Sequence, residues 1–437
     1  MIRLLRTREL GVDGVVATLA WPHAAEAPDL RARVAAIVEE VRREGDAALV
    51  AFTKRFDGVE LEPAELSVSE TEWAAAVVPD DLAAALAEAA RRIEAFHRHQ
   101  LPRSWWIRDE HGSLLGQQVT PIDRVGCYVP GGTAAYPSTV LMNLIPARIA
   151  GVRELVVVSP PGPGGRLDPV VLAAARLCGV REAYRVGGAQ AIAALAYGTA
   201  TIRRVDKIVG PGNIYVALAK RLVFGEVGID LVAGPSEVVV VADASARARH
   251  VAADLLAQAE HDPLARAVCL TDQAPLAEAV CAEVARQCPR LGRAAIAAAA
   301  IRAHGAVVLT RDLDEALTIA NRLAPEHLEL SVADPFAWLG AVRHAGAIFL
   351  GPDTPEVVGD YLAGPNHVLP TAGAARFASG LSVEDFVKRS SVIHYSAAGL
   401  SEAWPYLSRL AAAEGLQGHG EAARIRVEHD VEHERGD

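Results

Sequence analysis

One rhythm in the sequence constrains its fold more than anything else. From Val125 onward, short apolar runs alternate with amphipathic stretches of about 10–15 residues. Glu154–Ser159, Glu182–Val186 and Lys207–Val209 read as strands, and helices near 169–178, Ala189–Tyr197 and Ile214–Val223 follow them. A second series opens after Gly234-Pro235-Ser236, with strands at Glu237–Ala242, Ala267–Thr271, Ala306–Leu309 and Ala347–Leu350. Its helices run to about Glu260 (Asp243 or Ser245 as cap), to Gln287, and over Asp312–Leu323. A strand that rejoins a sheet after a helix runs parallel to its predecessor, so the pattern predicts α/β architecture with parallel sheets. Ahead of it, apolar faces such as Leu30, Val34, Ile37, Val38 and Val41 predict amphipathic helices over Leu30–Lys54 and Asp81–His97, ending by Pro102. Residues 1–25 read as a short arm. Beyond Gly380 the chain reads as a mostly helical tail without a strand, its end at 430–437 frayed.

Composition narrows the class. The chain has 437 residues, and at about 150 per domain two or three domains are expected, with enough interior to need no disulfide or metal for its core. Lys and Arg total 43 against 54 Asp and Glu, a formal charge of −11, and the arginines are dispersed. Such a chain is a poor non-specific nucleic-acid binder. An apolar stretch long enough to cross a bilayer is missing, and the first ten residues, which include Glu9, do not form a secretory signal. Five cysteines without a C-x-x-C pair fit a reducing compartment. The expectation is a cytoplasmic protein without nucleic-acid or membrane partners.

Four short segments could carry chemistry. Gln258 and His261 are three apart, hence on one helix face, and Pro263 ends the helix beside them. The pair reads as metal ligands or as a polar last turn. Glu326 and His327 follow a turn fixed by Pro325. They read as a water-activating carboxylate and a general base, or as a capped turn with two solvated side chains. Gly359–Thr371 is dense in glycine and proline, which predicts a rigid loop holding Asp360, Asn366 and His367. His419 sits between two glycines in the tail, as part of a site or of an exposed helix end. Gln258, His261, Asp360 and His419 together would leave a bound zinc ion with net positive charge, hence electrophilic.

The nucleotide signal is weaker. A G-x-G-x-x-G fingerprint and its acidic ribose partner are missing. Three glycine loops, Val129-Pro130-Gly131-Gly132, Gly187-Gly188 and Gly210-Pro211-Gly212, each adjoin a strand and could present backbone N–H groups to phosphate or simply make turns. Cys127, next to the first loop, reads as a buried small hydrophobe rather than a nucleophile, and so do the other cysteines.

Longer strings carry a resemblance. Gly126–Thr133, Val186–Leu195, Val209–Asn213, Ala233–Glu237, Ala257–Asp262, Ala324–Leu328, Gly359–Thr371, Ser379–Phe386 and Glu414–Leu416 are similar to the histidinol dehydrogenase family over nearly the whole chain. That resemblance implies oxidation of L-histidinol to L-histidine through bound histidinal, reducing two NAD. It implies zinc, one ion per subunit, on Gln258, His261, Asp360 and His419, which orients the substrate's amino and imidazole nitrogens. His327 would be the base in both oxidations and Glu326 would activate the hydrating water. Ser236, His367 and Glu414 would contact substrate along with the metal ligands, and Tyr128, Gln190 and Asn213 would contact NAD. The implied fold has two α/β domains of incomplete Rossmann-like topology, with a helical N-terminal arm and a C-terminal tail exchanged in a homodimer. The strand series places the domains at 26–125 with 235–380 and at 126–234, flanked by the arm 1–25 and the tail 381–437. Three other readings stand beside this one: a same-fold dehydrogenase of another alcohol such as a sulfonated diol, a zinc hydrolase using Glu326, and a non-catalytic scaffold.

Overall fold

A computed structural model describes residues 2–21, 28–131, 135–232 and 234–433. Gly132 of the first glycine loop, residues 22–25 of the expected arm and residues 434–437 of the expected frayed end lie outside the described residues. Chain contacts divide the protein into two units, residues 1–100 with 122–386, and residues 101–121 with 387–437.

Fourteen strands are present among the described residues. In chain order they are β1 (Arg3–Arg6), β2 (Trp105–Arg108), β3 (Leu114–Pro121), β4 (Arg124–Tyr128), β5 (Glu154–Ser159), β6 (Glu182–Arg185) and β7 (Lys207–Val209). They continue with β8 (Gly228–Ile229), β9 (Glu237–Ala242), β10 (Arg266–Thr271), β11 (Ala306–Leu309), β12 (His327–Ser331), β13 (Ala347–Leu350) and β14 (Val387–His394).

The first unit holds two parallel sheets, ordered β6-β5-β4-β7-β8 and β1-β11-β10-β9-β12-β13. Apart from β1, both wind in the same way: the first three strands of a series step outward, and the chain then returns to the far side of its first strand. The turning points therefore fall between β4 and β7 and between β9 and β12, where such sheets open a crevice. Strand alternation divides the larger sheet between two cores. Val238 and Val240 join the helices Ala248–Ala259 and Ala274–Gln287 on one face, whereas Val239, Val241, Leu328 and Leu330 join the helix Leu313–Leu323 on the other.

Several expectations are corrected here. Residues 3–6 do not belong to a helical arm: they form the parallel edge strand β1 beside β11, and Val15 and Leu19 of the next helix enter the larger sheet's core. The helix expected over 30–54 is two helices, Pro28–Glu44 and Asp46–Asp57, because Gly45 takes a φ of 57°. These two helices pack on the smaller sheet through Val34, Val41, Leu49 and Phe52, not on the larger one as the placement of 26–125 assumed. The strand β12 occupies a central place for which no strand was expected. The helix Ala248–Ala259 is not capped by Asp243 or Ser245; Arg247 holds that position without a side-chain cap.

The second unit corrects the reading of the tail. Residues 387–394 are a strand, and β14 pairs antiparallel with β3, which pairs antiparallel with β2. The helices Ala397–Ala413 and Gln417–His433 then complete the chain.

Candidate active site

The helix Leu313–Leu323 ends at Ala324, whose φ of 47° lies in the left-handed region, and Pro325 and Glu326 lead into β12 at His327. This puts the Glu-His pair at the amino-terminal edge of the larger sheet, beside the first residue of β9. Ligands usually gather at the carboxyl ends of parallel strands, so this sheet is used from its opposite side. A cavity of about 630 Å³ opens there, lined by His327, Phe349, Asp360, Asn366 and His367 among others.

The backbone of Glu237 holds both members of the pair. Its N–H donates to Glu326 Oε2 at 2.9 Å, and its carbonyl lies 3.1 Å from His327 Nδ1. A carbonyl oxygen can only accept, so the proton belongs on Nδ1, which leaves Nε2 with its lone pair. Burial first, and then the nearby His261 and His367 imidazoles, lower the His327 pKa to about 3. The ring is therefore neutral at neutral pH. Burial, reinforced by Asp360, pushes the Glu326 carboxyl well above the ordinary range.

Gln258, in the last turn of its helix, is fully buried. With its NH2 turned inward it donates to Glu356 Oε1 at 3.0 Å and to the Glu237 carbonyl at 3.2 Å. His261 follows just past the helix end and is exposed. Asp360 is not in a loop, as expected, but on the short helix Glu356–Tyr361, and Gly359 lets that helix lie close to β13, since a Cβ there would meet the Phe349 ring at 2.7 Å. Burial raises the Asp360 carboxyl to about 6. Glu356, four residues earlier and so on the same helix face, was missed in the sequence. Its carboxylate is 3.6 Å from His327 Nδ1, and donor atoms of His327, Glu356 and Asp360 all lie within 4.8 Å of one another.

The remaining residues divide. Burial, with His261 adding to it, lowers the His367 pKa to about 4, and its Nε2 is buried with no hydrogen-bond partner among the described residues. Asn366 is structural: its amide donates to the Met142 carbonyl at 2.6 Å and accepts from Val368 N–H at 2.9 Å. Ser236 is half-buried at the entrance to β9, and its carbonyl accepts from Arg266 N–H at 3.0 Å. Glu414 and His419 belong to the second unit, where both are exposed, Glu414 at a helix C-cap and His419 in a first helical turn.

The glycine loops follow the carboxyl ends of β4, β6 and β7, the usual ligand side of a parallel sheet. Tyr128 closes β4, and its hydroxyl accepts from Gly188 N–H at 3.1 Å; burial raises its pKa to about 12. Gln190 is buried in the first turn after the second loop. Asn213 caps the helix Ile214–Val223, its side-chain oxygen accepting from Tyr215 and Val216 N–H at 3.0 and 3.2 Å. Gly210 has a φ of 109°, and a Cβ there would lie 2.1 Å from the Tyr128 carbonyl oxygen. The loop is held by a buried ion pair: Lys220 donates to the Gly210 carbonyl at 3.0 Å and Asp230 accepts from Gly210 N–H at 2.7 Å. Cys127 is fully buried and its thiol is pushed up by burial, as expected of a small hydrophobe.

Comparison with known proteins gives one consistent answer. The family model described as histidinol dehydrogenase matches residues 22–427. A histidinol dehydrogenase of Synechococcus sp. is 56% identical over 397 residues, covering 90% of this chain and 92% of that protein. One from Geobacter sulfurreducens is 51% identical over 429 residues, covering 98% and 100%. Among solved structures, the histidinol dehydrogenase of Elizabethkingia anophelis superposes with a TM-score of 0.91 at 35% identity, covering 98% of each chain.

Proposed function

This chain belongs to the histidinol dehydrogenase family, and from that membership and the buried Glu326–His327 pair we propose how it works. The enzyme is an NAD-dependent oxidoreductase that converts L-histidinol to L-histidine in histidine biosynthesis. The relatives do not favour the alternative of a sulfonated diol or similar alcohol. A hydrolase or a scaffold is not favoured either.

A neutral imidazole with Nδ1 on a backbone carbonyl carries the mechanistic reading. His327 Nε2 takes the hydroxyl proton of histidinol as the alcohol carbon gives up hydride, leaving histidinal. Glu326 has one oxygen fixed by Glu237 N–H, and its carboxylate orients the water that hydrates the aldehyde. Once Nε2 has released that first proton to solvent, His327 takes a hydroxyl proton of the hydrate as the carbon gives up its second hydride, and the carboxylic acid results. NAD would supply the hydride acceptor, and Tyr128, Gln190 and Asn213 would contact it beside the glycine loops.

Zinc fits the donor set. Asp360 is a buried carboxyl lining the cavity, and the buried Gln258 amide and the His261 imidazole stand together at the end of the helix Ala248–Ala259. Gln258, His261, Asp360 and His419 would hold one ion per subunit, and the ion would fix the substrate's amino and imidazole nitrogens. His367, with its orphaned Nε2, Ser236 and Glu414 complete the substrate contacts. From family membership we further propose a homodimer in which the tail carrying Glu414 and His419 completes the partner's site.

The test is stoichiometric. Purified enzyme with NAD should release two NADH per L-histidinol and none with simple diols of similar size. One NADH per alcohol, or equal rates across a panel of amino alcohols and sulfonated diols, would overturn the substrate assignment.

A further inference from the structure

The side chain of Glu237 lies outside the mechanism above, yet it is wholly buried and fully engaged. Its Oε1 accepts from Ala372 N–H at 3.0 Å. Its Oε2 accepts from Trp21 Nε1 at 2.8 Å and from the Arg266 guanidinium. Arg266 also donates to the Leu19 carbonyl, and its guanidinium carbon lies 4.9 Å from the Trp21 ring centre, a cation–π contact. Three separate segments, 19–21, the start of β10 and the turn at 372, thus converge on one carboxylate. The backbone of the same residue carries the N–H that holds Glu326 and the carbonyl that holds His327 Nδ1.

We propose that Glu237 is a positioning residue for the reaction: its side chain, clamped by Arg266, Trp21 and the Ala372 N–H, fixes the backbone that orients Glu326 and keeps the His327 proton on Nδ1. This rests on the reading of His327 as the base. A carboxylate held on both oxygens restrains the Cα that carries it, and so adds to the hold that the pairing of β9 with β10 and β12 has on the adjoining peptide groups. A catalytic base needs that precision, because losing alignment by even an ångström lowers rates steeply. Trp21 and Arg266 act through Glu237 and touch no substrate in this account.

The test uses the full-length, zinc-loaded enzyme and two substitutions, each in the wild-type and in the His327→Asn background. Glu237→Gln keeps the size but leaves the Arg266 charge buried without its partner, which can prevent folding. Trp21→Phe removes a single N–H donor and keeps the ring over Arg266, so it serves as the milder variant. Expected in the wild-type background are losses in kcat of roughly 10- to 100-fold for Glu237→Gln and roughly 3- to 10-fold for Trp21→Phe. KM for histidinol and for NAD should stay within about twofold, because positioning acts on the transition state. In the His327→Asn background the same substitutions should cost clearly less, no more than about half the fold loss, since only Glu326 is left for them to orient. Equal fold losses in both backgrounds, or no loss of kcat from Trp21→Phe and Glu237→Gln alike, overturn the proposal. If His327→Asn by itself turns over at near wild-type rate, the reading of His327 fails, and that arm reports it separately.

Discussion

Glu326 and His327 hang from the same backbone by opposite kinds of hydrogen bond, and substitution should separate them. His327→Asn should lower turnover by roughly 100- to 10,000-fold, the usual scale of acid–base catalysis, while zinc content measured by atomic absorption stays normal. Glu326→Gln should slow histidinal oxidation more than histidinol oxidation, so a single-turnover trace should show one prompt NADH and one delayed. Equal slowing of both steps would remove the water-activating role. Asp57 offers a test of a different kind. Burial raises its carboxyl to about 6, and its Oδ2 has no hydrogen-bond partner among the described residues. The folded state then binds the proton more tightly than the unfolded chain, so the protonated form is stable below about pH 4 and stability falls as pH rises toward 6. Asp57→Asn should therefore add roughly 1–2 kcal/mol at pH 8 and nothing near pH 3.5, read by denaturant titration. At this scale the sequence was legible where chemistry was local. Glu326 and His327 are adjacent, and Gln258 and His261 share a helix end. Glu356 could have been found from its place four residues before Asp360, had the segment been read as a helix. Glu237 could not, because its importance lies in backbone groups that every residue has.

Among the elements, those with strong periodicity were read well and those without it were not. Ile214–Val223 and Glu237–Ala242 have the bounds expected, since one is an amphipathic helix behind a glycine loop and the other an uninterrupted run of valines. The strand β12 was obscured because Glu329 interrupts its apolar run; the carboxylate is buried there and accepts from Glu356 N–H at 2.9 Å, holding the short helix that carries Asp360. β3 and β14 were missed for a simpler reason. Each is half-exposed or exposed along its length, so polar residues fall on both faces and the alternation that marks a strand disappears. The glycine loop after β7 gives a prediction at this scale. Gly210→Ala must move the Tyr128 carbonyl, so the loop and its Lys220–Asp230 clamp lose their geometry. KM for NAD should rise at least about tenfold while calorimetric binding of histidinol is retained. An unchanged KM would show that this loop does not hold the cofactor.

For the whole molecule, the proposed homodimer raises the question of which chain completes which site. A homodimer lacking His261 and one lacking His419 should each be nearly inactive. Unfolded together and refolded, they should give half heterodimers, each with one intact and one doubly broken site, and about a quarter of wild-type activity should return. Two different His261 variants mixed in the same way should recover nothing. If the true pair also recovers nothing while heterodimers are seen by native mass spectrometry, His419 does not complete a partner's site. The placement of β1 has a further consequence, for the moment of synthesis. Residues 3–6 leave the ribosome about 300 residues ahead of residues 306–309, with which they pair in register. At about 5–20 residues per second, that partner follows roughly 15–60 s later. The smaller sheet, complete by Ile229, has all its strands in hand well before then, so the order of translation lets it assemble while the edge strand β1 of the larger sheet still waits for its neighbour.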